Sequence, residues 1–119
     1  MRAALLLALV ACAPSAWVRS ELYFGAARPG GDTVSADEFR EFTEKEVLRR
    51  FPAGFTLLEG RGQWQGDGGP VSEKSRVLVV LHPRSAEAEA FLESLREAYK
   101  KQFSQESVLR VDQDAAVSF

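Results

Sequence analysis

Ligand binding needs charged, hydrogen-bonding and aromatic side chains, and six residues of this chain are candidates for such a site. They are Tyr23, Trp64, Arg76, Tyr99, Glu106 and Arg110. A guanidinium group can hold a carboxylate with two parallel hydrogen bonds, and aromatic rings can form the walls of such a site. The set predicts a site for an anion or a carboxylate, with Glu73, Gln105 and Ser107 as further polar neighbours.

The two arginines also have a structural interpretation. Arg76 enters a predicted strand just before an apolar run, and Arg110 lies between two apolar residues of a later strand. A charge in such a place must be paired or must face solvent. An ion pair with Glu106 or Glu73 would satisfy Arg110, and Trp64 can serve packing instead of binding. The sequence leaves both interpretations open.

Catalytic chemistry has little support. The sequence contains no phosphate-binding loop, zinc-ligand spacing or serine-nucleophile motif. His82 is the single histidine, which excludes a metal cluster built on histidines, and we expect neither a metal nor another cofactor. His82 could act as a general base, or it could simply close a strand before Pro83.

The N-terminus is typical of an export signal, because Arg2 precedes an apolar run too short to span a bilayer. The run ends in Leu9-Val-Ala-Cys12, which resembles the lipobox of bacterial lipoproteins, in which the cysteine is lipidated and becomes the first mature residue. This resemblance predicts a lipid anchor on Cys12 and a place on the periplasmic face of the outer membrane. The alternative is cleavage after Ala16, which would give a secreted or periplasmic protein.

Length and charge limit the remaining choices. A signal peptide over residues 1–11 and a tether over residues 12–20 leave residues 21–119 for a single domain with one core. The formal net charge is -2 and no basic block is present, so nucleic acid is excluded as a partner. With one cysteine, the domain must fold without a disulfide.

Six segments have the pattern of a strand or a helix. Strands are predicted over residues 21–25, 55–65, 71–81 and 107–111, and helices over residues 35–50 and 85–103. Ser35 and Glu38 match a capping box at the start of the first helix. Gly60 and Gly62 weaken the second strand and indicate either a bend or the close approach of another group. Residues 112–114 favour a turn before an extended C-terminus.

The order of these elements is that of the ferredoxin-like fold, a split βαβ arrangement with an antiparallel sheet and two helices on one face. The first and third strands then lie in the middle of the sheet, which suits the uninterrupted apolar run Val77–Leu81. Because the helices cover one face only, the other face predicts a homodimer. The alternative is local cover by the C-terminal segment and the long hairpin.

Several blocks of sequence resemble those of a family of small exported bacterial proteins of unknown function. The blocks are Leu22-Tyr-Phe-Gly25, Phe51-Pro-Ala-Gly-Phe-Thr56, Gly62-Gln-Trp64, Glu73-Lys-Ser-Arg-Val77 and Tyr99-Lys-Lys-Gln-Phe-Ser-Gln-Glu-Ser-Val-Leu-Arg110. The resemblance implies a location in the cell envelope and carries over no catalytic residue.

Two functions are consistent with these observations. The first is a binding or interaction domain, not an enzyme, held at the membrane by lipidated Cys12. The second is a small dimeric enzyme without a cofactor, with a pocket between the sheet and the helices. A pocket that contains Arg76, Arg110 and His82 together would favour the enzyme, whereas scattered or mutually paired groups would favour the binding domain.

Overall fold

The computed structural model describes residues 16–119, so Cys12, the predicted signal peptide and most of the predicted tether lie outside the described residues. The elements in chain order are β1 (Trp17–Gly25), α1 (Ala36–Phe42), a π-helical segment (Thr43–Val47), α2 (Leu48–Arg50), β2 (Thr56–Gly66), β3 (Gly69–Pro83), α3 (Ala86–Phe103) and β4 (Leu109–Ala115). Within the described part of the chain, no helix is both long enough and apolar enough to cross a membrane.

The four strands form one antiparallel sheet in the order β2-β3-β1-β4. β1 and β3 therefore occupy the middle of the sheet, and both helical regions pack on the same face. This arrangement confirms the predicted ferredoxin-like fold. Consecutive side chains of a strand point to opposite faces, so each strand contributes one set of residues to the core and another to the open face.

The core lies between the sheet and the helices. Leu22 and Phe24 of β1 and Leu78 and Val80 of β3 are its contribution from the sheet. The helices add Phe39, Phe42, Val47, Ala88, Leu92, Leu95, Tyr99 and Phe103. Burial of one large apolar side chain contributes about 1.5–3 kcal/mol, so this layer supplies the main stabilisation of the fold. In both helical regions the buried apolar residues therefore lie on the side that faces the sheet.

The first helix begins with the predicted capping box. The backbone N–H of Glu38 donates to Ser35 Oγ over 3.1 Å, and the backbone N–H of Ser35 donates to Glu38 Oε2 over 2.8 Å. These bonds satisfy two amide groups that the helix itself leaves free, and loss of such a cap typically costs about 1 kcal/mol. The cap thereby fixes where the chain turns from the loop after β1 onto the core.

Two strand boundaries differ from those predicted by four residues, and the others by no more than two. β1 begins at Trp17 instead of Glu21, so four residues of the predicted tether belong to the sheet. Ser20 in this stretch is buried and donates a hydrogen bond to Asp112 Oδ1 over 2.6 Å. Asp112 lies within β4, which runs on through the predicted turn. In both strands a polar residue occupies a face that would otherwise be apolar, which hides the strand from a search for alternating hydrophobicity.

The face of the sheet that no helix covers, called the open face below, carries exposed leucines. Leu58 of β2, Leu81 of β3 and Leu109 of β4 are 50%, 47% and 60% exposed. At the C-terminus the ring of Phe119 lies 6.0 Å from that of Trp17 at one end of this face. The C-terminal segment and the hairpin, which were the predicted alternative to a partner, therefore do not cover these three leucines.

Candidate ligand-binding groove

A groove of about 600 Å³ lies at the end of the open face where β1 stops. Gly25, Gly62 and Ser75 form its floor. The register places Gly25 opposite Ser75, and Ser75 opposite Gly60 of β2. At Gly60, Gly62 and Ser75 the open face carries no side chain or a very small one, so the backbone there forms a flat floor beside the side chain of Glu73, onto which a ligand could fit.

Two aromatic side chains form walls of the groove. Tyr23 of β1 and Trp64 of β2 both line it, and Trp64 is 48% exposed. The hydroxyl of Tyr23 donates to Glu21 Oε2 over 2.6 Å, and this bond raises the pKa of Tyr23 and lowers that of Glu21. Because its hydroxyl is engaged with Glu21, Tyr23 offers the groove its ring and not a catalytic proton.

The loop between α3 and β4 forms the opposite wall, through residues 104–107. Ser104 ends α3 in the left-handed conformation, with φ 54° and ψ 46°. Gln105 then donates from its side-chain amide to the carbonyl oxygen of Ala27 over 2.7 Å. This bond ties the loop to the segment that follows β1, so Glu106 and Ser107 are carried to the edge of the groove.

Two carboxylates in the groove lack a cationic partner. Glu73 Oε2 accepts a hydrogen bond from the backbone N–H of Ala27 over 2.8 Å, and its carboxylate lies over Gly25, where a Cβ would come within 2.8 Å of Oε1. Glu106 is exposed. Within residues 16–119 neither Glu73 nor Glu106 forms an ion pair. Both charges are therefore available to a ligand.

Arg28 also lines the groove, but its charge is already compensated. Its guanidinium group donates to Asp32 over 3.0 Å and to Glu38 over 2.9 Å, and it lies 5.4 Å from the centre of the Phe103 ring. The hydrogen bond from Arg28 is the main reason why the pKa of Glu38 is lowered. With Arg28 neutralised in this way, the groove is acidic overall.

Two of the six predicted site residues lie in the protein interior. Arg76 is buried, donates from Nη1 to the carbonyl oxygen of Val34 over 2.9 Å, and lies 5.0 Å from the centre of the Phe39 ring. Tyr99 is fully buried, and its hydroxyl donates to the carbonyl oxygen of Gly25 over 2.6 Å. Burial raises the pKa of Tyr99 to about 12. Both residues hold the fold together beneath the groove.

Arg110 faces the helices instead of the groove. Its side chain is 10% exposed and pairs with Glu89 at 2.5 Å, Glu93 at 2.8 Å and Asp112 at 3.0 Å. These ion pairs agree with the structural interpretation of Arg110, but the partners are not the predicted Glu106 and Glu73. Residue 110 points to the helix-covered face of β4, whereas those two carboxylates lie in the groove.

His82 is buried at the other end of the sheet. Its Nε2 lies 2.8 Å from Ser20 Oγ, and its Nδ1 lies 2.9 Å from the carbonyl oxygen of Pro83. Arg76, Arg110 and His82 are thus apart from one another, and each has partners in the protein. Among residues 16–119, no cluster of histidine, cysteine and carboxylate side chains could hold a metal ion.

The structure therefore brings together Tyr23, Trp64 and Glu106, joined by the predicted neighbours Glu73, Gln105 and Ser107. Sequence reasoning did not identify Arg28 or the glycine floor as part of a site. The signal for the floor was present, because two glycines at alternate positions of a strand allow close approach of another group.

Comparisons with known proteins give a family and a fold. The family described as "Protein of unknown function (DUF3574)" matches residues 19–119. No curated protein matches the chain. The phage SAM lyase in complex with S-methyl-5′-thioadenosine has a similar structure, with a TM-score of 0.64, 17% identity, and coverage of 89% of this chain and 87% of that chain.

Two proteins named CutA are also similar in structure. CutA from Synechococcus elongatus PCC7942 has a TM-score of 0.55 and 11% identity, over 87% of this chain and 80% of that chain. A variant of CutA1 from Pyrococcus horikoshii OT3 has a TM-score of 0.52 and 19% identity, over 84% of this chain and 86% of that chain. At these identities the similarity shows the shared fold alone.

Proposed function

Because the chain belongs to the DUF3574 family, whose function is unknown, we propose a function from the geometry of the groove. The protein is a membrane-tethered binding domain for a small molecule that carries a flat ring and a positive charge. The observation that carries this proposal is the meeting of two aromatic rings, Tyr23 and Trp64, with two unpaired carboxylates, Glu73 and Glu106, over a flat floor.

The chemistry of the groove selects the ligand. A cation over the face of an aromatic ring gains about 0.5–2 kcal/mol, and most at tryptophan. Carboxylates attract any cation electrostatically, and they add charge-assisted hydrogen bonds, roughly twice as strong as neutral ones, where the cation carries N–H groups. An anion would meet Glu73 and Glu106 with no free cation beside them, since Arg28 is held by its own two acids. This reverses the sign of the ligand predicted from the arginines in the sequence.

The same geometry favours binding over catalysis. Arg76, Arg110 and His82 lie outside the groove, and each is engaged in hydrogen bonds of the fold. The hydroxyl of Tyr23 is bound to Glu21, and the carboxylate of Glu73 accepts from the backbone N–H of Ala27. Among the described residues that line the groove, no serine hydroxyl is hydrogen-bonded to a carboxylate or a histidine, so the site lacks the paired nucleophile and base of a covalent catalyst.

The first probe is benzyltrimethylammonium, with benzoate as a probe of the same ring and opposite charge. We expect calorimetric titration of the full chain to show binding of the cation at least about tenfold tighter than that of the anion, a difference of about 1.4 kcal/mol. S-methyl-5′-thioadenosine, with which the phage SAM lyase was solved, serves as a third probe because it has a flat base and hydroxyl groups.

A substitution in the floor tests where the probe binds. A Cβ at Gly62 would meet only the carbonyl oxygen of Glu73, at 4.0 Å, so the backbone accepts a side chain there, and we expect the ring of Gly62→Phe to occupy the groove. We expect it to abolish binding with little change in melting temperature. Gly68→Ala, in the hairpin turn where a Cβ meets nothing within 4 Å, is the matched control. Equal affinity for benzoate, or full binding by Gly62→Phe, would contradict the proposal.

The proposal includes the lipid anchor at Cys12 on the periplasmic face of the outer membrane. Four residues separate Cys12 from Trp17, where β1 begins. Such a segment spans at most about 18 Å, which would keep the start of β1 close to the membrane. The groove lies at the other end of β1, about 30 Å further along nine residues of strand. It would then open away from the membrane, toward molecules in the periplasm.

In this proposal the domain is a homodimer that pairs through the open face, as the sequence predicted. Support comes from the leucines of that face, since burial in a partner would remove their apolar surface from water.

A further inference from the structure

We infer that a second copy of this chain covers the open face, related by a two-fold axis parallel to the strands, so that the two grooves form one shared chamber. The direction of the axis and the role of the chamber rest on the proposed function. The pairing itself rests on the composition and the size of the open face.

The open face is apolar and carries few charges. Val77, Val79 and Leu81 of β3 and Leu109 and Val111 of β4 point to it. The charges among its strand residues are those of Arg19, Glu21 and Glu73, and Arg19 is bound to Glu21 at 2.9 Å. The opposite side of β4 carries Arg110, Asp112 and Asp114 instead. Apart from Glu73, which lies in the groove, this surface has apolar rows and internally compensated charge, so it suits a partner with the same surface.

The size of the face agrees with a stable pair. β1 has nine residues, so the face is about 30 Å long, and four strands make it about 19 Å wide. The flat area is therefore about 600 Å², and the pleated surface with its side chains exposes more. This approaches the roughly 800 Å² that each partner buries in a standard interface.

The β2–β3 hairpin gives a further reason for a partner. The pairing of β1 with β3 ends at Gly25 opposite Ser75, but the hairpin continues to Gly66 opposite Gly69. Residues 61–66 and 69–74, called the arm below, form a ribbon of two strands that includes Trp64. An isolated ribbon of two strands is marginally stable in water. Contact with a second copy would stabilise the arm.

The tether sets the direction of the symmetry axis. If both copies are anchored through Cys12, both β1 strands must begin near the same membrane surface, since four residues cannot reach the far end of the domain. The two-fold axis then runs along the strands, and β2 of one copy faces β4 of the other. Leu58 and Leu109 lie at the same level of the sheet, because Leu58 pairs with Val77, Val77 with Tyr23, and Tyr23 with Leu109.

This symmetry brings complementary parts together. Leu109 meets Leu58 of the partner subunit, so the most exposed leucine of the face is covered. The loop of residues 104–107, which carries Glu106, comes to the side where the partner's arm lies. Each groove is thereby roofed by the other copy, and an aromatic ring of the partner lies close to the carboxylates of the site. A ligand cation enclosed in this way is less screened by water than in an open groove.

The experiment compares two leucines of equal exposure on opposite layers of the molecule. Leu81 on the open face and Leu48 in α2 are each 47% exposed. Native mass spectrometry of the full chain in mild detergent should show a dimer for the wild type and for Leu48→Glu, and a monomer for Leu81→Glu. Leu81 lies four residues, about 13 Å, before the start of the groove along the sheet, beyond the screening length of its new charge.

Binding of benzyltrimethylammonium is measured on the same samples. We expect Leu81→Glu to lower the affinity about tenfold, because the groove loses its roof, and Leu48→Glu to leave it unchanged. A monomeric wild type or a dimeric Leu81→Glu would overturn the pairing, and a monomer that binds as tightly as the dimer would overturn the shared chamber. A wild-type dimer that does not bind the probe would count against the proposed function alone.

A charge exchange tests the direction of the axis. Leu58→Glu should dissociate the dimer, and addition of Leu109→Lys should restore it, because the two positions meet only between copies. Within one copy they lie three strands apart, about 14 Å, too far for an ion pair. A double variant that stays monomeric would rule out the arrangement along the strands.

Discussion

Arg110 shows how a residue in an unpromising place can be held by several partners at once. Its guanidinium group on β4 bonds to Glu89 and Glu93 of α3 and to Asp112 of its own strand. Those acids are 63%, 47% and 41% exposed, so solvent weakens each pair relative to a buried one. The cluster joins the edge strand β4 to α3.

We expect Arg110→Ala to lower the free energy of unfolding by about 1–2 kcal/mol, less than the 3–5 kcal/mol of a fully buried pair. Thermal melts of Arg110→Ala, Glu93→Ala and the double variant should show a coupling of at least about 0.5 kcal/mol. Arg40→Ala is the control, because the ion pairs of Arg40 with Asp37 and Glu44 are exposed and lie within the first helical region. Strictly additive losses would show that Arg110 and Glu93 do not interact.

The same cluster has a signature in acid. Hydrogen bonds from Arg110 and then from Arg96 lower the pKa of Glu93. A carboxyl group whose pKa is lowered by folding stabilises the protein above its ordinary pKa, and that contribution is lost as the pH falls through the lowered value. The loss of stability in acid should therefore be smaller in Arg110→Ala than in the wild type.

At the level of residues, the sequence predicted several residues of the groove correctly, but it did not predict which partners the arginines have. Tyr23, Trp64 and Glu106 do meet in one groove. Arg110 could not be placed correctly, because a shift of one position along a strand moves a side chain to the other face. The sequence predicted an anionic ligand because of Arg76 and Arg110. Both arginines have partners outside the groove, so the proposed ligand is a cation instead.

Among the elements, α3 was the easiest to predict. Its apolar residues recur at helical spacing, Ser85 accepts a hydrogen bond from the backbone N–H of Ala88 at its start, and Leu92 and Leu95 are fully buried. The ends of β1 and β4 were harder, because Ser20 and Asp112 replace apolar residues on the inner face and satisfy each other. Alternating hydrophobicity predicts a strand only where the buried positions are apolar. Ser20 and Asp112 are polar residues at inner-face positions, so the alternation is lost there.

We expect Leu95→Ala in α3 to lower the free energy of unfolding by about 2–5 kcal/mol, because it leaves a cavity where the helix meets the sheet. Lys101→Ala on the exposed side of the same helix should change it by less than about 0.5 kcal/mol. Chemical denaturation measures both. A loss under about 1 kcal/mol for Leu95→Ala would mean that the helix does not pack on the sheet through this side.

On the scale of the whole molecule, the two ends of the sheet have different tasks in our proposal. The end at Trp17 adjoins the membrane, and the end at Gly25 carries the groove. The open face runs between them and is the surface for a second copy. Fold order and the uncovered face were predictable from the sequence, since both follow from the order and periodicity of the elements. The groove as a whole was not, because its walls depend on the approach of the loop after α3 to the segment after β1, which no local sequence pattern shows.

The anchor is the part of the proposal on which this orientation depends. We expect Cys12→Ser to abolish retention in the membrane, because serine supplies no thiol for acyl attachment, and each buried methylene of an acyl chain contributes about 0.8 kcal/mol. Detergent phase partitioning of the wild type and the variant measures retention, and mass analysis of the N-terminus identifies the modification. An unmodified wild type that begins at Trp17, after cleavage behind Ala16, would disprove the lipoprotein. Because the described domain begins at the same residue, such a protein would still fold and bind the probe, so the two proposals can fail independently.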